Sequence, residues 1–192
     1  MDAITLLKND HKSVEKLFKS FEKLASKDGS ASQKQKVVEQ IVEELAMHAA
    51  IEEQVFYPAA REEVPDTEDT VLESLEEHHV VKWVLSELDG MSPDAERFDA
   101  KVTVLIESVR HHVEEEEQEL FPDIRKELGR KRLGEIGDAL EAAKKGAPTR
   151  PHPKAPDTPP GNLVAGTVAG AADKVRKAGK QAVKKATKAT KK

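Results

Sequence analysis

The sequence predicts an all-α protein, an antiparallel up-down four-helix bundle followed by a short fifth helix and a basic C-terminal tail. Apolar residues recur at spacings of three and four along four long segments, which is typical of amphipathic helices. Short turn-forming stretches separate these segments. Charged residues make up 35% of the chain and aromatic residues 4%, a balance typical of helices rather than sheets. Four helices with short connections favour the bundle.

Capping and breaking residues predict the bounds of the first two helices. The first should run from about Ile4 to Ala25 and end at Asp28-Gly29. Ser30 and Gln33 form a capping box that should open the second helix. That helix should continue to about Phe56, with Pro58 kinking or ending it.

Similar signals predict the remaining helices. Pro65-Asp66-Thr67 should open the third helix, which runs from about Glu68 to Asp89 and ends at a glycine. Ser92-Pro93 supplies an N-cap and a proline at the first helical position, so the fourth helix should begin there and reach about Leu120. A short fifth helix should run from about Lys131 to Lys145.

Charge and proline content divide the chain into three parts. Residues 1–146 carry 20 Lys and Arg against 34 Asp and Glu, a net charge of −14, and should form the bundle domain. Residues 147–161 contain six prolines, which predicts a stiff, extended and unpacked linker. Residues 162–192 are rich in Lys and Ala and should form a largely disordered tail. Everything after residue 146 carries 11 basic residues against two acidic ones, a net charge of +9.

The sequence leaves open three possible roles for the tail. Small apolar residues predict a weak amphipathic helix, carried by Leu163, Val164, Val168, Ala171, Ala172 and Val175. The lysine-rich ending resembles bacterial and linker-histone-like DNA-binding tails in composition only. It would bind nucleic acid without sequence preference and in a salt-dependent way. In the second role the tail would bind an anionic membrane surface. In the third it would be a disordered solubilising tail, or would fold back on its own acidic domain.

Composition excludes several kinds of site. The chain has no cysteine, so disulfides, iron–sulfur clusters and thiolate zinc sites are excluded, and any metal needs nitrogen and oxygen ligands. The N-terminal residues lack a basic segment followed by an apolar core, so no signal peptide is predicted. No stretch approaches the roughly 18 apolar residues of a transmembrane helix. We therefore expect a cytoplasmic protein.

One motif occurs twice. The chain reads HAAIEEQVFYP from His48 to Pro58 and HVEEEEQELFP from His112 to Pro122, and five of the eleven positions coincide. In each copy a glutamate follows the histidine by four residues. Residues i and i+4 lie on one helix face, about 6 Å apart along the axis, so an imidazole and a carboxylate can converge on one cation.

The apolar stripes direct one histidine of each helix toward the core. The stripes are Leu7, His11, Val14, Phe18 and Phe21; Val38, Ile41, Leu45, His48, Glu52 and Phe56; Val71, Leu75, His78, Val81, Leu85 and Leu88; and Val102, Leu105, Val109, His112, Glu116 and Leu120. Burying ionised carboxylates costs several kcal/mol unless a cation compensates them. The pattern therefore predicts a two-metal site with six ligands, namely His11, His48, Glu52, His78, His112 and Glu116.

Two further histidines compete for these roles. His79 lies on a weaker stripe of the third helix, and we favour His78 over it. His111 and Glu115 repeat the i,i+4 spacing, but the internal repeat selects His112 and Glu116 instead.

Other polar residues near the motifs are predicted to play no part in binding. Tyr57 should be a packing residue near the end of the bundle, with the alternative that its phenol, near a bound metal, donates a hydrogen bond or coordinates. His152 should be inert in the linker. A solvated face is the predicted fate of Glu114, Glu115, Glu117 and Glu119.

Residues 1–146 resemble the hemerythrin-like proteins with the HHE cation-binding domain. The resemblance rests on Asp10-His11, on His48 and Glu52 before Phe-Tyr-Pro, on Glu77-His78, and on His112 and Glu116 before Leu-Phe-Pro. It implies a non-haem centre of two iron ions with an oxo or hydroxo bridge. By the same resemblance Glu52 and Glu116 bridge the irons, His11 and His48 bind one, and His78 and His112 bind the other. Manganese or zinc could bind the same ligands, but the resemblance favours iron.

The sequence departs from the oxygen-carrying hemerythrins in two ways. Their third helix has a second histidine four residues after the first, where this chain has Lys82. They also place an aspartate five residues after the last histidine, whereas Glu116 follows His112 at four. One protein ligand fewer leaves room for an exogenous ligand, so reversible oxygen storage is not the expected function.

The expected function is therefore reaction with peroxide, oxygen or nitric oxide, or sensing of one of them, in an oxidative or nitrosative stress role. Catalase-like consumption of peroxide is left open. The alternatives are an iron-handling or DNA-associated binding protein without turnover and a purely structural bundle. The sequence leaves the oligomeric state open.

Overall fold

A computed structural model describes residues 1–27, 29–159 and 161–189. Within these ranges the chain is helical and contains no strand. The helices are α1 (Ala3–Ala25), α2 (Ala31–Ile51), α3 (Tyr57–Glu63), α4 (Glu68–Leu88), α5 (Phe98–Glu115), α6 (Phe121–Lys144) and α7 (Gly161–Ala189). Asp28, residues 190–192 and the side chains of Leu163 and Val164, all used in the predictions above, lie outside the described residues.

The predicted four-helix bundle is confirmed. α1 packs against α2 and α4 packs against α5, while α6 lies along α1. All apolar residues of the four predicted stripes are buried. They form two apolar clusters, one containing Leu7 and Leu75 and the other containing Val14 and Val81. The layer between the two clusters is where the histidines of the stripes lie.

The first, second and third predicted helices begin where the sequence indicates. The Asp2 side chain accepts a hydrogen bond from the Thr5 backbone N–H at 3.0 Å and caps α1. The Ser30 hydroxyl accepts one from the Gln33 N–H at 3.4 Å and caps α2. After α4 the chain turns at Gly90, whose φ of 91° lies in the left-handed region that favours glycine.

The fourth helix begins later than predicted. Residues 92–97 form turns, and α5 starts at Phe98. Ser92 accepts a hydrogen bond from the Asp94 N–H at 3.3 Å, so it caps a turn that does not continue as a helix. Arg97, with φ of −99° and ψ of 5°, separates that turn from α5. Phe98 is fully buried beside Phe21, and this packing decides where the helix starts.

Neither proline of the repeat ends its helix. A five-residue π turn precedes each one, at Glu52–Phe56 and at Glu116–Leu120, and helix resumes as α3 and α6. Proline inside an α-helix lacks the N–H for a helical hydrogen bond, and its ring collides with the carbonyl four residues earlier. Each of these prolines instead lies in the first turn of the helix that resumes after the π turn, where proline is tolerated. Gly129, with φ of 66°, breaks α6, so the predicted short fifth helix is its second half.

The linker differs from the prediction. It is packed, because the N–H groups of Thr149 and Arg150 donate to the buried Asp173 carboxylate at 3.0 and 3.1 Å. α7 includes the segment for which the sequence predicts a weak amphipathic helix. It lies on the bundle, since the Asn162 side chain donates to the Glu53 carbonyl at 2.8 Å. Across the residues described, no helix is both long and apolar enough to cross a bilayer.

Candidate metal centre

The structure brings the six predicted ligands together in one buried layer. Each is at most 6% exposed, and together they come from α1, α2, α4, α5 and the first residue of each π turn. The six are His11, His48, Glu52, His78, His112 and Glu116. Their donor atoms form two overlapping groups, His11, His48, Glu52 and Glu116 in one and Glu52, His78 and His112 in the other.

The histidines meet in two pairs. The Nε2 atoms of His11 and His48 lie 3.1 Å apart, and those of His78 and His112 also lie 3.1 Å apart. Two nitrogens that are each about 2.1 Å from one metal ion and roughly at right angles around it would be about 3 Å apart. The observed separations fit that requirement. Each pair thus presents two nitrogen donors to one point.

The two glutamates connect the histidine pairs. Glu52 Oε2 lies 3.2 Å from His48 Nε2 and 3.4 Å from His78 Nε2. Glu116 Oε2 lies 3.3 Å from His11 Nε2 and 3.7 Å from His112 Nε2. Each carboxylate therefore contacts one histidine of each pair. A carboxylate in this position can span two metal ions.

Electrostatics favour a cation in this layer. Glu52 is fully buried, and neither of its carboxylate oxygens has a hydrogen-bond partner among the described residues. Burial, followed by the charge of Glu116, raises the pKa of Glu52 well above its usual range. Burial also acts to raise the pKa of Glu116, but His112 and His11 overcome it and hold that pKa below its usual value. A bound cation would compensate both carboxylates.

A second set of carboxylates surrounds the histidines. The Nδ1 atom of each ligand histidine faces a carboxylate oxygen: Glu117 at 3.0 Å from His11, Asp10 at 3.8 Å from His48, Glu53 at 3.0 Å from His78, and Glu77 at 2.7 Å from His112. At hydrogen-bond distance a carboxylate at Nδ1 favours the tautomer with the proton there and leaves the Nε2 lone pair free to bind metal. Glu117, Glu53 and Glu77 are at that distance, whereas Asp10 is too far from His48 for a hydrogen bond. We call these four residues the outer carboxylates.

Each outer carboxylate is adjacent in sequence to a predicted ligand. Glu117 corrects a prediction, because it is half-buried against His11 rather than part of a solvated face. The sequence signal for this set was present in the doubled Glu-Glu of the repeat and in Asp10-His11 and Glu77-His78. Spacing on one helix did not reveal it, because each contact joins two different helices.

Tyr57 is part of the site rather than a packing residue alone. Its phenol is buried and donates a hydrogen bond to Glu116 Oε1 at 2.9 Å. Burial, followed by the charge of Glu116, raises the pKa of Tyr57 well above its usual value. The phenol therefore keeps its proton, and its alternative role as a hydrogen-bond donor is the one seen here.

Lys82 stands where the oxygen carriers have a further histidine, and it does not join the six. Its ammonium is buried and donates to both Glu53 oxygens, at 2.9 and 3.1 Å. Glu53 in turn faces His78 Nδ1. Lys82 therefore compensates the charge of an outer carboxylate, Glu53.

The competing histidines lie outside the inner layer. His79 is exposed and accepts a hydrogen bond from the Trp83 indole at 3.1 Å. His111 is exposed and faces Glu115 at 3.4 Å. His152 lies 3.4 Å from Asp173, the carboxylate that binds the linker.

A surface groove reaches the inner layer. It has a volume of about 610 Å³ and runs between α1 and α5, with His11 and Glu117 among its lining residues. The gap between α2 and α4 is covered by the linker and α7, which leave a cavity of about 40 Å³ beside Lys82 and Glu53. A small molecule in the groove between α1 and α5 would therefore lie beside His11.

A family model and two relatives match this chain. Residues 2–124 match the hemerythrin HHE cation-binding domain model. A hemerythrin-like protein of Schizosaccharomyces pombe is 35% identical over 138 residues, covering 71% of this chain and 68% of the relative. A DNA nickase of Nostoc sp. is 30% identical over 147 residues, covering 75% of this chain but only 39% of the nickase.

A solved structure shares the fold. The crystal structure of a hemerythrin HHE cation-binding domain-containing protein from Mycobacterium kansasii matches with a TM-score of 0.63 and 19% identity, covering 76% of this chain and 86% of that one. The matched domain includes all six residues of the inner layer. The chain therefore belongs to the hemerythrin HHE cation-binding family.

Proposed function

We propose that this chain is a cytoplasmic non-haem di-iron protein that reacts with or senses peroxide, oxygen or nitric oxide, in an oxidative or nitrosative stress role. The observation that carries the proposal is Glu52, a fully buried carboxylate without a hydrogen-bond partner among the described residues, placed between two imidazole pairs. Such a group is costly without a cation. The donor set of nitrogen and oxygen atoms suits iron in both common oxidation states.

The proposed ligands divide the work. His11 and His48 would hold one iron, His78 and His112 the other, and Glu52 and Glu116 would span both. When bound, the two irons would supply electron transfer and a coordination position for a small oxidant. The outer carboxylates hold the imidazoles in the tautomer that binds, and Tyr57 donates to Glu116 and so limits its movement.

The route of a small ligand follows from the open groove. His11 and Glu117 line it, so an oxidant entering between α1 and α5 meets that side of the inner layer first. Lys82 takes no ligand position, because its ammonium is held by Glu53. Six protein ligands leave each ion short of the coordination that an additional histidine would provide. This supports reaction or sensing over reversible storage.

Elemental analysis tests the metal content. Protein from iron-replete cells, after exhaustive dialysis, should retain two irons per chain and show near-ultraviolet absorption from ferric iron. His78→Ala should lose the metal, whereas His79→Ala, which changes the exposed neighbour, should keep it. Wild-type protein without iron or that absorption would end the proposal.

Peroxide addition then separates an enzyme from a sensor. Continuous oxygen evolution that disappears in His112→Ala would identify a catalase-like enzyme. A single stoichiometric spectral change, without turnover, would identify a sensor or store. A spectrum that peroxide, oxygen and nitric oxide all leave unchanged would contradict both roles.

The tail supports a second candidate, an iron-handling or DNA-associated binding protein without turnover. Residues 147–192 carry a net charge of +9, and one relative is described as a DNA nickase. The described part of α7 instead pairs with the bundle, through Lys177 and Glu43 among others. Titration of a fluorescent DNA duplex at two salt concentrations is the test. Binding that weakens steeply with salt would favour this candidate.

A further inference from the structure

A second His–Glu pair lies on the outer side of α5. His111 Nε2 is 3.4 Å from Glu115 Oε1, the same i,i+4 arrangement that the inner layer uses. Glu77 approaches the pair from α4, and donor atoms of the three residues lie within 4.8 Å of one another. The three side chains are 65%, 31% and 23% exposed for His111, Glu115 and Glu77, so the cluster faces solvent.

Glu77 differs from the other outer carboxylates in the cationic side chains around it. Three of the four each pair with a lysine: Asp10 with Lys144 at 2.6 Å, Glu53 with Lys82 at 2.9 Å, and Glu117 with Lys8 at 3.1 Å. Glu77 is the exception, since no lysine or arginine pairs with it within the described ranges. At that position the structure has His111 and a second carboxylate, Glu115, which likewise has no lysine or arginine partner there.

We propose that Glu77, His111 and Glu115 form a third metal site, for a divalent transition-metal ion, where the other outer carboxylates have a lysine. One imidazole and two carboxylates suit Zn²⁺, Mn²⁺, Co²⁺ or Fe²⁺, and water would complete the coordination. Glu77 is already oriented, because its Oε2 accepts a hydrogen bond from His112 Nδ1 at 2.7 Å. The exposed position makes this ion exchangeable.

Equilibrium dialysis against Co²⁺ near neutral pH tests the site. Wild-type protein should bind one Co²⁺ per chain more than His111→Ala. Glu115→Gln should weaken that one equivalent by roughly tenfold or more. His79→Ala is the matched control, because His79 is also exposed and is also adjacent in sequence to an inner histidine, His78. This variant should bind Co²⁺ as the wild type does.

Two results would overturn the proposal. One is equal Co²⁺ binding, in number and affinity, by wild type and His111→Ala. The other is loss of the same equivalent in His79→Ala, which would indicate binding to any exposed histidine. His48→Ala distinguishes this site from the inner one, because it removes a proposed inner ligand on the far side and should keep the equivalent that His111→Ala loses. Circular dichroism checks that each variant is folded.

Discussion

At the scale of single residues, every ligand histidine contacts a carboxylate outside the inner layer. One series of contacts runs from the His78 imidazole to the Glu53 carboxylate and from there to the Lys82 ammonium. Both outer members are buried, so each depends on the other for compensation. This series of contacts explains why a lysine is tolerated inside the bundle.

Lys82→Met should expose this dependence. The substitution leaves Glu53 buried without its ammonium partner, and we expect the free energy of unfolding of the metal-free protein to fall by about 3–5 kcal/mol. Guanidinium denaturation measures it. Lys34→Met, which breaks the more exposed pair with Asp99, should cost about 1 kcal/mol or less. Equal losses in the two variants would contradict the buried pairing, and Lys82→Met with Glu53→Gln should recover most of the loss.

His48 should give the metal-free protein a defined pH dependence. Burial lowers the pKa of His48 from 6.5 to about 4, so the folded chain binds fewer protons there than the unfolded chain. Its contribution to stability is full above pH 6.5 and is lost as the pH falls toward 4, at up to about 1.4 kcal/mol per pH unit.

Denaturation of chelated protein between those pH values measures this slope. His48→Gln has no group that titrates in the window, so its slope should be shallower than that of the wild type by the His48 contribution. Parallel slopes in the two proteins would show that His48 is not buried in its neutral form.

At the scale of elements, the π turns link the ligands to the rest of the bundle. Each begins at a ligand glutamate and ends two residues before a proline. The extra residue in the turn lets α-helix resume at Tyr57 and Phe121, one residue before each proline, with Phe56 and Leu120 still in the core. The sequence predicted a kink or an end at Pro58, because proline in a regular α-helix has no other outcome.

α7 approaches the segment that follows α6 closely at Gly170. A side chain at this position would collide with the backbone carbonyl of Gly146, which cannot move as a flexible side chain can. Gly170→Leu should therefore displace α7 and accelerate amide hydrogen exchange in both segments, by about tenfold or more if the displacement costs over 1.4 kcal/mol. Exchange read out by mass spectrometry is the measurement.

Gly179→Leu is the control for that experiment. Gly179 lies on the same helix and has no neighbouring atom where a side chain would be added. Leucine there should leave exchange at Gly146 unchanged and stabilise the helix by about 0.5–1 kcal/mol. Unchanged exchange in Gly170→Leu would mean that α7 does not lie against the segment that follows α6 in solution.

At the scale of the whole molecule, the inner layer separates two apolar clusters and therefore links metal binding to folding. The layer contains two glutamates and four histidines, all buried, and the clusters above and below it supply most of the apolar burial. Burial of these polar groups opposes folding unless cations compensate them. Metal bound only by the folded chain should stabilise it.

Chelation should consequently lower the melting temperature. At a free metal concentration 100 times Kd the folded state gains about 2.7 kcal/mol per site, and a chelator removes that gain. Glu52→Gln tests the same linkage, because the variant removes the carboxylate that lacks a hydrogen-bond partner and also loses the metal. We expect it to be more stable than wild type without metal and less stable with it, by calorimetry. A melting temperature that chelator leaves unchanged in wild type would contradict the linkage.

The order of elements could be predicted from the sequence because periodicity and caps act locally. Val38, Ile41 and Leu45 lie one helical turn apart, so they and His48 face the same way whatever the partner helix is. The same rule placed His112 and Glu116. The start of α5 could not be predicted, because burial of Phe98 against Phe21 decides it and depends on another helix.

By itself, then, the sequence determined which face of each helix carries the histidines and glutamates, since side-chain direction along a helix is set by its 3.6-residue turn. The tertiary structure alone decided which outer carboxylate meets which histidine, that Lys82 neutralises Glu53, that Tyr57 donates to Glu116, and that linker and α7 cover one side of the bundle. Each of these contacts joins residues far apart in the chain. Their distances depend on how helices pack together, which no local pattern encodes.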